Sequence, residues 1–325
     1  MIMAQSLFMA LKRQHPESYL AVLAPPATLP LIKRMPEVDS GIVANFKHKK
    51  IDFAERWRVA KELRKQHFDQ AIILPGSIKS ALAPWLAGIS RRTGFLGESR
   101  YGLINDVRPL DKVKLPLTVN RFVYLGSIES EAFDTTSYRY PELKICPSDV
   151  AIARDKLNLN NSMPVIALCP GAEYGPAKQW PAKHFAALID QLVDIGMQCW
   201  LFGSNKDTEI TANILDLLNS DKKHCIDLAG KTSLTQAIDL MSAAKAVISN
   251  DSGLMHVAAA LKRPVVALYG SSSHKFTPPL SNQATIINLE LECSPCFKRQ
   301  CPLGHLRCLN ELTPQMVRNA LQTML

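Results

Sequence analysis

The residues best suited to chemistry lie in "AVISNDSGLMHVAAALKRPVVALYG", which runs from Ala246 to Gly270. Ala246–Ser249 has the composition of a buried strand, Asn250-Asp251-Ser252-Gly253 is a polar turn, and Leu254–Leu261 is helix-forming. Asp251 or Ser252 can cap that helix, with Gly253 beside it. The free amides of its first turn then make an anion site. His256, five residues after Asp251, lies on the same turn and faces back toward the strand ends. These residue types suit a phosphate-bearing ligand. They equally describe a capped helix with a packed histidine.

Two further turns share this character. In "IALCPGAEYGPAKQWPAKHF", Pro170-Gly171 ends a strand, Gly175-Pro176 shapes a loop, and Lys178 sits just before the next helix. A cation there can neutralise a phosphate, and Glu173 can accept hydrogen bonds from a sugar or ribose. In "LFGSNKDTEI", Gly203-Ser204 ends a strand and Asp207 opens a helix. An acidic group so placed either binds ribose hydroxyls or caps its own helix.

Positioning these turns requires alternating strands and helices. Strands are expected at Tyr19–Ala24, Gly41–Asn45 and Gln70–Leu74, then at Pro164–Cys169, Gln198–Gly203, Ala246–Ser249 and Pro264–Tyr269. Helices are expected at Ile51–Gln66 and Ser77–Leu86, then at Pro181–Ile195, Asp207–Leu218, Leu234–Ala243 and Gly253–Leu261. An apolar spacing through Met3, Leu7, Phe8 and Leu11 makes the opening residues helical as well. This pattern predicts an α/β protein of two doubly wound domains, 1–155 and 156–325, joined through the aperiodic stretch within 111–150. In such sheets ligands bind beyond the carboxyl ends of the strands, where all three turns lie.

With 325 residues, each domain can bury a core. No apolar run has membrane-spanning length, and no charged region precedes an apolar N-terminal stretch, so a cytoplasmic protein is expected. Most of the net charge of +9 falls in residues 1–150, with 22 Lys+Arg against 15 Asp+Glu, as in "FKHKK" at Phe46–Lys50. Such a surplus is either a solvated face or the footprint of a polyanionic partner: a phosphorylated substrate, an anionic membrane surface or nucleic acid.

Some signals are excluded or left open. "AGKTS" at Ala229–Ser233 imitates a phosphate-binding loop, but Cys225 stands where that loop needs its first glycine. The chain contains no GxG, so the dinucleotide fingerprint of a dehydrogenase is missing. In "CSPCFKRQCPLGHLRC", Cys293, Cys296, Cys301, His305 and Cys308 fall within sixteen residues and have metal-ligand character. Three readings stand: a structural zinc, a reduced-thiol loop or an oxidisable pair.

Taken together, "CPGAEYGPAKQWP", "NDSGLMHVAAALKRPVVALYGSSS" with "FTPPLS", and "LPGSIKSALAPWLAGISRRTGFLGESRYGLINDVRPLD" resemble the bacterial ADP-heptose:lipopolysaccharide heptosyltransferases, and the resemblance covers almost the whole chain. It implies a GT-B fold, in which two Rossmann-like domains face a cleft, and an inverting transfer of heptose from ADP-heptose without a required metal. By resemblance, Lys178 offsets charge on the leaving diphosphate, and Asp251, Ser252, Gly253 and His256 hold the phosphates and the heptose. Glu173 and Tyr174 fall in the donor loop, Asp207 at the ribose, and Thr232 beside the adenine. Acceptor-side candidates are Ser77, Lys79, Arg92 and Arg100. The implied partners are a phosphorylated heptosyl-Kdo-lipid A and, peripherally, the inner membrane surface; nucleic acid is not expected.

One departure accompanies the resemblance. Family members open with an apolar strand and a loop ending in an aspartate that acts as the base toward the acceptor hydroxyl. "MIMAQSLFMAL" aligns with the helix after that loop. The N-terminal domain is therefore expected to lack its first strand, and no residue inherits the base role. A chain that binds ADP-sugar without transferring the heptose is the alternative.

Overall fold

The computed structural model describes residues 1–47, 50–127, 133–159 and 163–325. His48 and Lys49 of the basic string, and residues 128–132 of the expected linker stretch, lie outside the described residues. The chain forms two compact units: Met1 with Met3–Pro141, and Ile2 with Glu142–Leu325.

The first unit runs α1 (Gln5–Gln14), β1 (Ala21–Ala24), α2 (Leu29–Ile32), β2 (Ser40–Val43), α3 (Phe53–Lys65), β3 (Gln70–Ile73), α4 (Ile78–Ala87), β4 (Arg91–Phe95), β5 (Asp106–Arg108) and α5 (Thr118–Leu125). Helix α1 buries Leu7 and Phe8, as the spacing predicts, and packs on α5. Lys12 Nζ holds the entry to β1, donating to Asp39 at 2.7 Å and to the Ser18 carbonyl at 2.6 Å.

All strand pairs are parallel, yet they form two sheets, β1-β2 and β3-β4-β5. At this interruption β1 and β3 each leave one edge without a strand partner among the described residues. Tyr19 and Phe68, just ahead of those strands, stack with ring centroids 6.3 Å apart. Helices α3 and α4 span the interruption with one core, in which Val59, Ala60, Leu63 and Ala83 meet Ile42 and Leu23 on one side and Ala71 on the other.

The second unit runs α6 (Pro147–Lys156), β6 (Val165–Cys169), α7 (Ala182–Val193), β7 (Gln198–Leu201), α8 (Thr208–Asp216), β8 (Cys225–Asp227), α9 (Leu234–Ser242), β9 (Ala246–Asn250), α10 (Gly253–Ala260), β10 (Val265–Leu268), β11 (Ala284–Ile287), α11 (Arg307–Asn310) and α12 (Pro314–Gln322). It starts earlier than the 155/156 boundary because α6 packs on α9, the Leu143 amide donates to the Ala260 carbonyl at 3.0 Å, and Glu142 pairs with Lys262 at 2.6 Å.

Its strands make one parallel sheet in the order β11-β10-β9-β6-β7-β8. After β6 the chain winds outward through β7 and β8, then returns to β9 on the other side of β6. This is the doubly wound order of dinucleotide-binding sheets, and its switch point lies between β6 and β9. Residues of β6, β7, β9 and β10 are buried throughout, on Trp180, Phe185, Leu188 and Ile189 among others.

The candidate donor site

Strands β6 and β9 end side by side, so the turns that follow them converge at the switch point. Lys178 comes from the first turn and Asp251 from the second; Nζ donates to Oδ2 at 2.5 Å, with the lysine side chain 18% and the aspartate side chain 7% exposed. Asn250, at the end of β9 and fully buried, fixes this encounter. Its Nδ2 donates to the Pro170 carbonyl at 2.7 Å, and its Oδ1 accepts from the Trp180 amide at 3.1 Å. Both ends of the Lys178 loop are thus tied to β9. Trp180 anchors the far end, its indole N–H donating to the Leu312 carbonyl at 2.7 Å.

Ser252 occupies the N-cap position of α10, but neither it nor Asp251 caps the helix through its side chain. The carboxylate that the sequence suggested as a cap serves Lys178 instead. The first-turn amides therefore meet no capping side chain, and a Cβ at Gly253 would touch nothing within 4 Å, so the approach to them is open. Such amides carry the positive end of the helix dipole. Burial pulls the His256 imidazole down to about 4, against the opposing pull of Asp251, so at neutral pH it is an uncharged hydrogen-bonding group. Its Nδ1 is buried with no hydrogen-bond partner among the described residues.

The hydroxyls of Ser271 and Ser272, just beyond β10, and Nδ1 of His274 are likewise buried and unpartnered. Sequence reasoning did not single these out. Their signal was the run "GSSSH" directly after an apolar strand. Asn250 was missed because a single asparagine at a strand end shows nothing of its two bonds.

The other donor-side residues have defined places. Tyr174 donates its hydroxyl to the Phe297 carbonyl at 2.6 Å, and its ring lies 5.1 Å from Lys178 Nζ and 5.3 Å from the Arg299 guanidinium carbon. Glu173 is at the surface, paired with Lys206 at 2.8 Å. Thr232 bonds the Leu228 carbonyl at 3.3 Å. Asp207 closes a capping box, Oδ2 accepting from the Ser204 amide and hydroxyl at 2.8 Å each. A Cβ at Gly171 would come within 2.4 Å of Asp207 Oδ1, so only glycine lets the turns after β6 and β7 approach this closely.

The acceptor-side candidates divide. Arg100 is 2% exposed, and its guanidinium is taken up by the unit's own backbone: Nη1 donates to the Pro75 carbonyl at 2.7 Å, Nη2 to the Phe95 carbonyl at 2.7 Å, and Nη1 also to Ser80 Oγ at 2.9 Å. It holds the loops after β3 and β4 together. Arg92 donates to the carbonyls of Ile89, Gly102 and Leu103 at 2.5, 3.2 and 2.8 Å. Ser77 and Lys79, at the start of α4, remain half-buried at the surface. None of the four lines the hollow of about 770 Å³ along β2, which is bounded by Tyr19, Gly41, Val43, Arg58 and Glu62 among others.

Among the described residues no group of three His, Cys, Asp or Glu stands in metal-holding geometry, so the structural-zinc reading of Cys293, Cys296, Cys301, His305 and Cys308 finds no preformed ligand set. All four cysteines are free thiols. No helix among the described residues is long and apolar enough to cross a membrane.

Comparison with known proteins places the chain in a family. The model of glycosyltransferase family 9 (heptosyltransferase) matches residues 56–307. Lipopolysaccharide heptosyltransferase 2 of Escherichia coli (strain K12) is 44% identical over 330 residues, spanning 100% of this chain and 95% of that protein. Lipooligosaccharide heptosyltransferase 2 of Haemophilus influenzae (strain ATCC 51907 / DSM 11121 / KW20 / Rd) is 41% identical, spanning 100% of this chain and 96% of that protein. The solved structure of E. coli ADP-heptose lps heptosyltransferase II superposes with a TM-score of 0.90 at 42% identity, covering 100% of this chain and 94% of that one.

Proposed function

Because the chain belongs to glycosyltransferase family 9, we propose that it moves heptose from ADP-heptose onto the first heptose of a lipopolysaccharide inner core, with inversion at the transferred carbon. The observation that carries this reading is the Lys178–Asp251 pair at the β6/β9 switch point, set beside the open N-terminus of α10.

In an inverting transfer the acceptor oxygen forms a bond to the anomeric carbon from the face opposite the diphosphate. The bond from that carbon to the diphosphate oxygen breaks, and ADP leaves with its electron pair. The acceptor hydroxyl gives up its proton to water. Negative charge grows on the departing diphosphate, so donors already oriented there lower the barrier without reorganising. Lys178 supplies a cation held in place by Asp251, and α10 supplies amides and dipole. Neutral His256, with Ser252, adds hydrogen bonds to phosphate or heptose hydroxyls. Tyr174 braces the loop that carries the lysine. Thr232 and Asp207 lie on the side expected for adenine and ribose.

On the acceptor side we assign Ser77 and Lys79 at the start of α4, with Arg92 and Arg100 shaping the loops rather than meeting the ligand. The basic surplus of the first 150 residues suits a phosphorylated heptosyl-Kdo-lipid A and a peripheral association with the cytoplasmic surface of the inner membrane.

The test is transfer itself. The chain incubated with ADP-heptose and heptosyl-Kdo-lipid A should release ADP and yield acceptor carrying one additional heptose by mass spectrometry. ADP-heptose binding with no such product would establish the binding-only alternative instead.

A further inference from the structure

The cysteine-rich segment packs directly under the loop that carries Lys178. The Ala177 amide donates to the Arg299 carbonyl at 3.1 Å, Tyr174 donates to Phe297, and the Phe297 amide donates to the Ser271 carbonyl at 2.7 Å. Within this segment Cys293, Cys296, Cys301, Cys308 and His305, together with Ala177, line one cavity of about 20 Å³. That volume is about what a single atom-sized occupant needs.

The four cysteines fall in two pairs along the chain. Cys293 and Cys296 are separated by two residues, and the chain turns back at Phe297, whose φ of 53° is left-handed. Cys301 opens Cys-Pro-Leu-Gly, and Gly304 has a φ of 72°. The amide of Leu306 donates to Cys301 Sγ at 3.4 Å, and the amides of Leu303, Gly304 and His305 also point toward that sulfur. His305 is occupied elsewhere: Nδ1 accepts from the Arg307 amide at 3.0 Å and its carbonyl accepts from Asn310 at 2.8 Å. Lys298, Arg299 and Arg307 belong to the segment itself, and Arg307 lies within electrostatic reach of Cys293, so a doubly negative tetrathiolate would have a counter-charge nearby.

We propose that Cys293, Cys296, Cys301 and Cys308 form a structural site for one thiophilic divalent cation, with zinc as the expected occupant. Four thiols about one cavity match the tetrahedral coordination of zinc by cysteine, and deprotonation accompanies binding. The sulfurs draw inward as the ion enters. Apart from α11, the segment from Cys293 to Cys308 has no helix or strand of its own, so the ion would fix its shape and, through Ala177 and Tyr174, that of the Lys178 loop. This last consequence rests on the donor-site reading above; the site itself does not.

The test is anaerobic titration of the reduced full chain with cobalt(II). One equivalent should produce the intense visible absorption of tetrahedral cobalt thiolate, and zinc should displace it. Cys293→Ser and Cys301→Ser should each abolish the absorption, and His305→Ala should retain it. Circular dichroism checks that each variant is folded, and Cys296→Ser replaces any that is not. Absence of the absorption in the reduced wild-type chain, its persistence in the serine variants, or disulfides among these cysteines in the chain as purified would overturn the proposal. Should the donor reading fail instead, the cobalt absorption would still appear, but chelation would leave ADP binding unaltered.

Discussion

Among the described residues, six parallel strands of the second unit form one sheet, whereas five parallel strands of the first unit fall into a pair and a trio. The ligand-directed polar groups follow this difference. Where the sheet is continuous, two adjacent strands deliver Lys178 and Asp251 to one point and leave the α10 amides, His256, Ser271 and Ser272 without internal partners. Where it is interrupted, buried Arg100 and half-buried Arg92 bond carbonyls of their own loops. Lys178 pairs with a carboxylate side chain and Arg100 with backbone carbonyls, so the hydrogen-bond partners separate the proposed donor contact from scaffold.

The largest effect should come from Lys178→Ala, which removes the cation at the leaving group. Turnover in the transfer assay should fall by about 10²–10³-fold, the scale for losing one preorganised donor, with circular dichroism unaltered. Near-normal turnover would erase the distinction between the units. Arg100→Ala should behave oppositely, orphaning the Pro75 and Phe95 carbonyls and lowering the stability of the first unit by about 3 kcal/mol in urea unfolding. Full stability in that variant would show the guanidinium to be free for ligand.

Hydrogen exchange sharpens the contrast of continuity. Amides of β6 and β9, each paired on both sides, should exchange at least about tenfold more slowly than those of β1 and β3, each paired on one side. A smaller, pH-dependent effect attaches to His256. Its imidazole is held at about 4 in the folded chain against 6.5 ordinarily, so the unfolded chain binds more protons between those values. The stability it permits is complete above about pH 6.5 and declines as pH falls toward 4. A His256→Gln variant should lose this part of the acid dependence, and an imidazole NMR titration with a midpoint near 6.5 would refute the assignment.

Legibility in the sequence followed the same division. Strands β6, β7, β9 and β10 are covered on both faces, and "VIALC", "QCWL", "AVISN" and "VVAL" are accordingly almost continuous apolar runs. Strands β4, "RRTGF", and β5, "DVR", escaped notice because their charged residues are satisfied locally: Arg91 and Arg108 both pair with Asp106, at 2.8 and 3.0 Å. Helix α5 lay inside the stretch read as aperiodic, since only eight residues carry its pattern. At the site, residue types and turn position pointed to Lys178, Asp251 and His256. The exchange of roles at Asp251, from cap to lysine partner, needed the third dimension, as did the bracing by Asn250.

The central claim, that the donor's diphosphate is held where β6 and β9 end, is tested most directly by titrating isotopically labelled chain with ADP and following backbone amide resonances. The largest shifts should fall on Ser252, Gly253, Leu254 and the residues flanking Lys178, and Lys178→Ala should weaken ADP binding by at least about tenfold. Shifts that leave the α10 N-terminus untouched, with ADP affinity unaltered in the variant, would contradict the account.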